Sequence, residues 1–590
     1  MENYPYRNDI YTDDDRIKIF KNLINHNLTH KINNNNFFYK NIRVLKTLFL
    51  YNGQFHYLLA DNKAYDNVYI LSDTFNDICR SKCGFGNNIS PLEYFQNNHN
   101  KLVNHIKNKK LEVNKLNMRE AIYENTIECS IHNPAVIKFF INKYHAKKVL
   151  DPCSGWGDRL LGAMASGIQE YTGIDPNECL HPNYQKMIQL LKQYMPMNND
   201  AAKIDMIEDK MENVNFKKLH YDLVYTSPPY FDYEKYSNNV KQSHISHNRE
   251  NDWYQDFLQV LIMKSIDALK FGGRMVLYIS QEAGKTYMEK MLKWVPTLKN
   301  VYYIGSFIYA SSSYKQPHPI FIYKKSHRIP RVLYNPKPMV TQIDVNGRKI
   351  HVVRDDYIIG GTKTRAAIPI IQKILSDGKI NKLIYSGAAN GYAQVAIAYT
   401  LMLLKRPDIN LIFVFQKVHD IEIFKLQELT KFYHSNTTYI IREGPMKILY
   451  PIVDAYNKPN EYIIPFGFSF PDYKEVLYEN LLMHISVLSN IKRMWLVVGS
   501  GTVLSVLQRV LPNTLFFGVQ VGREVKDDEV YDKSRLTLYV SSYKFYDKYK
   551  GKQYYNSLMN YDAKVMEFVE KYGESGDYVW NVAGAHKHLL

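Results

Sequence analysis

The chain has little cysteine and no long apolar run. Five cysteines in 590 residues, Cys79, Cys83, Cys129, Cys153 and Cys179, are too few and too odd in number for a disulfide framework, and they fit a reducing compartment. Cys79 and Cys83 have the spacing of half a zinc site, but no second pair or nearby histidine pair completes it, so they read as buried thiols and no metal is expected. No apolar run of the ~18 residues needed to span a bilayer occurs. The N-terminal stretch MENYPYRNDIYTDDD lacks a signal peptide's apolar segment. A soluble intracellular or cytoplasmic protein without a membrane partner is therefore expected. Acidic residues are outnumbered, giving a formal net charge of +17 and favouring a polyanionic partner such as nucleic acid. The 49 tyrosines and abundant lysine and asparagine also fit coding in an AT-rich genome, which raises lysine without selection for binding.

The length exceeds a single core and suggests roughly three or four domains. Residues 1–115 carry short aromatic runs and a basic helical segment (Lys101, Lys107, Lys109, Lys110, Lys115). That lysine face can follow a nucleic-acid backbone or simply be solvated, so 1–115 stands as an accessory module of unread function.

The most informative stretch is Val149–Ala163, VLDPCSGWGDRLLGA. It reads as a buried strand, a tight turn at Gly155 and Gly157, and a helix from Asp158. A second strand ends at Asp175, close to the ~20-residue offset at which an acid can bind a ribose diol in nucleotide-binding α/β folds. A third strand delivers Thr226-Ser227-Pro228-Pro229-Tyr230 to the same sheet edge. Two prolines fix φ and hold Ser227 extended, while Tyr230 offers a ring face. Acceptors beside a ring suit a planar amine-bearing substrate. Phe231 to Tyr236 continue as an aromatic polar loop able to stack a base taken out of a duplex.

DPCSGWG, Asp175 and TSPPY resemble motifs I, II and IV of the class I S-adenosylmethionine-dependent amino-methyltransferases, which methylate cytosine N4 or adenine N6 in DNA. The resemblance implies a Rossmann-like methyltransferase domain over 116–327. It implies that Asp151, Cys153, Gly155, Gly157 and Asp175 bind the cofactor, with Asn133 in a motif X helix, and that Ser227, Pro228, Pro229 and Tyr230 form the catalytic motif, with Phe231 stacking the substrate. Val301–Ile308 and Ile320–Tyr323 are expected to close the sheet as an antiparallel hairpin, its loop at Tyr309–Pro319 folding over the target.

Residues 328–340, basic and proline-rich, read as a linker. Beyond it, RDD…GGTKTRA, Ile384–Gln394 (IYSGAANGYAQ) and Leu496–Val503 (LVVGSGTV) resemble fold type II pyridoxal-phosphate enzymes of the aminocyclopropane-carboxylate deaminase, D-cysteine desulfhydrase and tryptophan-synthase-β group. This implies a second three-layer α/β domain over 341–590. Lys363 is then the cofactor lysine, Gly499, Ser500, Gly501 and Thr502 the phosphate cup, and Asn390 a substrate contact. Asn390-Gly391 stands where relatives usually show Ser-Asn, and Gln394 where an arginine is common. A dimer through this domain is left open.

The leading expectation is methyl transfer to a nucleobase amine in DNA. A pyridoxal-phosphate lyase or deaminase, a two-domain base-modification enzyme, and a non-catalytic nucleic-acid-binding protein are the alternatives. The composition suits a large virus, which would place the protein in host cytoplasm or virion.

Overall fold

In a computed structural model, residues 3–32, 55–59, 68–86, 88–196, 202–237, 239–280, 284–310, 318–418, 420–444, 446–522 and 524–584 are described. The described residues form two compact units, one comprising those up to 328 and the other those from 329 on. Among the described residues, no helix is long and apolar enough to cross a membrane.

The strands of the first unit are β1 (Thr29–Ile32), β2 (Phe55–Leu59), β3 (Gly84–Phe85), β4 (Lys148–Asp151), β5 (Glu170–Ile174), β6 (Lys203–Ile207), β7 (Tyr221–Thr226), β8 (Glu234–Lys235), β9 (Leu269–Tyr278), β10 (Val301–Ala310) and β11 (His318–Lys325). Nine of them form one sheet in the order β1-β2-β10-β11-β9-β7-β4-β5-β6. From β9 to β6 the neighbours are parallel. β11 is antiparallel to both β9 and β10, as the expected closing hairpin requires. Its loop, 311–317, lies outside the described residues. The order reverses between β4 and β7, and the crevice beyond the carboxyl ends of strands at such a reversal is where α/β sheets bind ligands.

Local sequence explains the helices around that crevice. Asn133 accepts the Ala135 amide at 2.9 Å and Pro134 starts Pro134–Tyr144, which ends on left-handed His145 (φ 51°). The helix Asp158–Met164 begins after Gly157, at φ 86°, and packs on Pro134–Tyr144 through Gly162, where a Cβ would overlap the Pro134 carbonyl and lie 2.5 Å from Ile137 Cγ2.

The expected accessory module, 1–115, shares this unit. Asn76 Nδ2, on helix Asp73–Arg80, donates to the Trp156 carbonyl at 2.6 Å. Cys79 is disulfide-bonded to Cys179, which corrects the reading of Cys79 and Cys83 as two thiols; Cys83 and Cys129 are buried free thiols. Three separate elements bring Arg7, Asp73, Asp77, Arg80 and Arg119 into one largely buried cluster, with Arg119 Nη2 2.9 Å from Asp77 Oδ1.

The second unit contains β12 (Val340–Val345), β13 (Arg348–Arg354), β14 (Lys382–Gly387), β15 (Asn410–Gln416), β16 (Thr437–Arg442), β17 (Glu461–Ile464), β18 (Arg493–Val498), β19 (Leu515–Gln520), β20 (Leu536–Val540) and β21 (Tyr578–Asn581). Six of these form a sheet in the order β12-β13-β21-β18-β19-β20, and a four-stranded parallel sheet runs β16-β15-β14-β17. Both units are thus α/β. The 328–340 stretch is not a free linker. Asn335, 2% exposed, donates to the Asn480 carbonyl at 2.9 Å and accepts from Arg365 at 2.6 Å, so a polar side chain that looks solvated in sequence is consumed inside the fold.

Candidate active site

At the carboxyl ends of β4, β5 and β7 lies a cavity of about 340 Å³, within the range of small-molecule sites. Cys153, Gly155, Asp175 and Ser227 through Tyr230 all line it, so the cofactor turn and TSPPY meet at one place. Gly155, at φ 57°, donates its amide to Asp175 Oδ2 at 2.8 Å. The Asn177 amide donates to Asp175 Oδ1 at 3.0 Å. Burial nevertheless raises the Asp175 carboxyl to about 6. Tyr230 is half-buried, its phenol raised to about 12 by burial, with its hydroxyl 3.4 Å from Ser227 Oγ.

Three expected cofactor residues support the site from outside the cavity wall. Asp151 is fully buried and accepts from Arg159 Nε at 2.7 Å and the Tyr171 hydroxyl at 3.0 Å. Its charge is spent on bracing the strand end. Gly157 caps a helix, and a Cβ there would lie 2.9 Å from Met187 Sδ. Asn133 caps its own helix and donates to the Tyr309 hydroxyl at 2.7 Å; the adjacent Ser130, Ile131 and His132 line the cavity instead.

Phe231 does not reach the cavity. At φ 40° it turns inward, is 5% exposed, and packs on Trp253 at 5.9 Å with Lys285 Nζ 4.3 Å above its ring. Tyr233 and Phe85 are among the aromatic residues that do line the cavity, with Trp156, Tyr230, Tyr236 and Tyr278. Tyr233 belonged to the aromatic loop visible in sequence, whereas nothing local marked Phe85. Glu234 is held beneath them, accepting from the Ser130 amide and hydroxyl at 2.7 Å. Asp158, also on the cavity, accepts from the Ser72 hydroxyl and, at 3.3 Å, from the His132 amide; burial raises its carboxyl to about 7. Glycine freedom, backbone amides and a buried acid are a donor and acceptor set that fits S-adenosylmethionine.

In the second unit Lys363 ends the turn Gly361–Lys363 ahead of helix Thr364–Ile374. Burial lowers its ammonium pKa, opposed by Asp562. Asp562, absent from the sequence reading, is raised to about 8 by burial. Its Oδ1 accepts from the Val582 amide at 3.3 Å, while its Oδ2 has no partner. Asn390 is 6% exposed with an unpartnered Nδ2. Gly499 to Thr502 join β18 to helix Thr502–Val510, with Gly501 at φ 70° and Ser500 Oγ 3.1 Å from Thr502 Oγ1. Gln394 donates to the Ala389 and Gly391 carbonyls at 2.7 and 3.2 Å, so it shapes the turn bearing Asn390. Unpartnered buried polar atoms, a desolvated amine and a glycine turn at a helix start fit pyridoxal phosphate.

No family model and no curated protein matches the chain. Among solved structures, O-ureido-L-serine synthase is similar at 12% identity and TM-score 0.33, over 44% of this chain and 92% of its own. TrmN from Thermus thermophilus is similar at 16% identity and TM-score 0.23, over 32% of this chain and 48% of its own. Threonine deaminase isoform 2 from Solanum lycopersicum is similar at 14% identity and TM-score 0.30, over 42% and 79%. The two-unit α/β architecture rests on the sheet orders themselves.

Proposed function

We propose that the first unit transfers a methyl group from S-adenosylmethionine to an exocyclic amine of a nucleobase, cytosine N4 or adenine N6, in DNA. The observation that carries this reading is the meeting of Gly155 and Asp175 with Ser227–Tyr230 on one cavity at the reversal of the sheet. Bound S-adenosylmethionine supplies a methyl group on a positively charged sulfur. Asp175 would accept from the cofactor's ribose, and the turn at Gly155 lets backbone approach it closely. The Pro228 and Pro229 rings hold Ser227 and its carbonyl fixed at the cavity, so that acceptors orient the amine and stabilise charge developing on its nitrogen. Tyr230 contributes an apolar wall that excludes water.

The direct test incubates purified protein with tritiated S-adenosylmethionine and unmodified DNA, followed by nucleoside separation. Label in methylated cytosine or adenine that disappears in Ser227→Ala and Tyr230→Ala supports the reading and names the base. Cofactor binding without label on DNA removes it.

A second activity is supported by the desolvated Lys363 and the neighbouring Asp562, whose Oδ2 is unpartnered, together with the unpartnered Nδ2 of buried Asn390. There the second unit would bind pyridoxal phosphate, which supplies an electron-withdrawing ring for lyase or deaminase chemistry. Lys363 would supply the amine, Gly499–Thr502 the phosphate contacts, and Asn390 and Asp562 would hold the ring's polar edge.

A further inference from the structure

We infer that Phe85 and Tyr233 form an aromatic clamp that holds the planar acceptor ring once it is unstacked from its neighbours; the inference deepens the methyl-transfer reading of the same cavity. Both side chains line that cavity. Their ring centroids are 4.6 Å apart at 65°, forming a corner, and Tyr233 remains 43% exposed. A large ring left open on a ligand cavity is the surface on which a base would stack.

The backbone fixes this corner from both sides. The Tyr233 amide donates to the Tyr230 carbonyl at 2.9 Å, and its carbonyl accepts from the Gly86 amide at 2.9 Å. β3 pairs antiparallel with β8, Gly84 opposite Lys235 and Phe85 opposite Glu234. Below, the Glu234 carboxylate ties β8 to Ser130. Phe231 is excluded from this role, because Trp253 and Lys285 already occupy its faces. The segment before β4 therefore contributes a wall of the acceptor site, and its aromatic ring comes from far outside the motif that marks the site in sequence.

A base inside a duplex cannot enter such a corner without being extruded, so single-stranded DNA is the expected better acceptor. The test uses full-length protein and a single-stranded oligonucleotide containing 2-aminopurine, whose fluorescence is quenched on stacking, together with KM and kcat for tritium transfer. The parent should quench the probe. Tyr233→Ala and Phe85→Ala should lose the quench and raise KM for DNA about tenfold, with the KM for S-adenosylmethionine unchanged. Tyr233→Phe should restore both. A parent that does not quench, or a Tyr233→Ala that quenches like the parent, overturns the clamp. Quenching lost in the alanine variants of a protein that transfers no methyl group keeps the clamp and removes the methylation reading alone.

Discussion

The Ser72 hydroxyl donates to the buried carboxyl of Asp158, joining the residue before helix Asp73–Arg80 to the first residue of the helix after the glycine turn. Burial keeps that carboxyl protonated up to about 7, whereas an aspartic acid in an unfolded chain ionises near ~3.9. Between those values the folded protein holds a proton that the unfolded chain has released, so this group's contribution to stability falls as pH rises through the window and is level above it. Asp158→Asn should flatten that slope. Thermal melts of parent and variant at about pH 5 and about pH 8 check it, and parallel slopes would show that Asp158 ionises normally.

Replacing Gly162 by alanine should destabilise the first unit by about 1–3 kcal/mol, the usual cost of overpacking. The added methyl meets the Pro134 carbonyl and Ile137, and neither helix can withdraw without opening the core. Denaturant titration followed by far-ultraviolet dichroism measures the shift; a parental midpoint would mean the helices are free to part.

The Cys79–Cys179 bond closes a sequence separation of 100, for which loop-closure entropy predicts a stabilisation of about 2–5 kcal/mol. Reductant should lower the first unit's melting temperature in the parent and leave Cys79→Ser, already lowered, unmoved. Equal sensitivity of both proteins would place the effect elsewhere.

Asp175→Asn should weaken S-adenosylmethionine binding about tenfold, by loss of a charged acceptor. An asparagine still offers one oxygen to the Gly155 amide but leaves the Asn177 amide facing a donor, so the melting temperature should fall by no more than the loss of one backbone hydrogen bond, about 1 kcal/mol. Calorimetric titration decides it, and undiminished affinity would remove Asp175 from the cofactor site.

Mixing the protein with pyridoxal phosphate should produce a visible absorbance band that Lys363→Ala lacks. Asp562→Ala should retain the lysine's reaction but bind the cofactor less tightly, because Oδ2 now has no protein partner. The spectrum of Lys363→Ala is the control that matters: a band identical to the parent's would mean surface lysines are responding.

What was legible in the sequence was local. Strand, glycine turn and helix at Val149–Ala163, and the rigid Ser227–Tyr230 segment, announce themselves because apolar runs and special backbone residues act over a few positions. Residues brought together by pairing left no such mark. Phe85 reaches the cavity through a two-residue strand, and Cys79 finds Cys179 across the fold. Phe231 was expected to stack a base because it follows Tyr230, but adjacency does not set side-chain direction; its ring is buried against Trp253. Asn335 looked like linker for a related reason, since its partners Arg365 and Asn480 lie far along the chain.

The pairing of β2 with β10, Phe55 opposite Ser306, sets an order for vectorial synthesis. As the chain leaves the ribosome, β2 emerges long before the strand that completes it, and its exposed edge must wait through translation of nearly the whole first unit. That interval is when a chaperone binding extended segments would have its opportunity. A truncated transcript ending before Val301 would leave the nascent chain with that edge uncovered, so stalled products of this protein should be aggregation-prone even where strands β4 to β9 are already made.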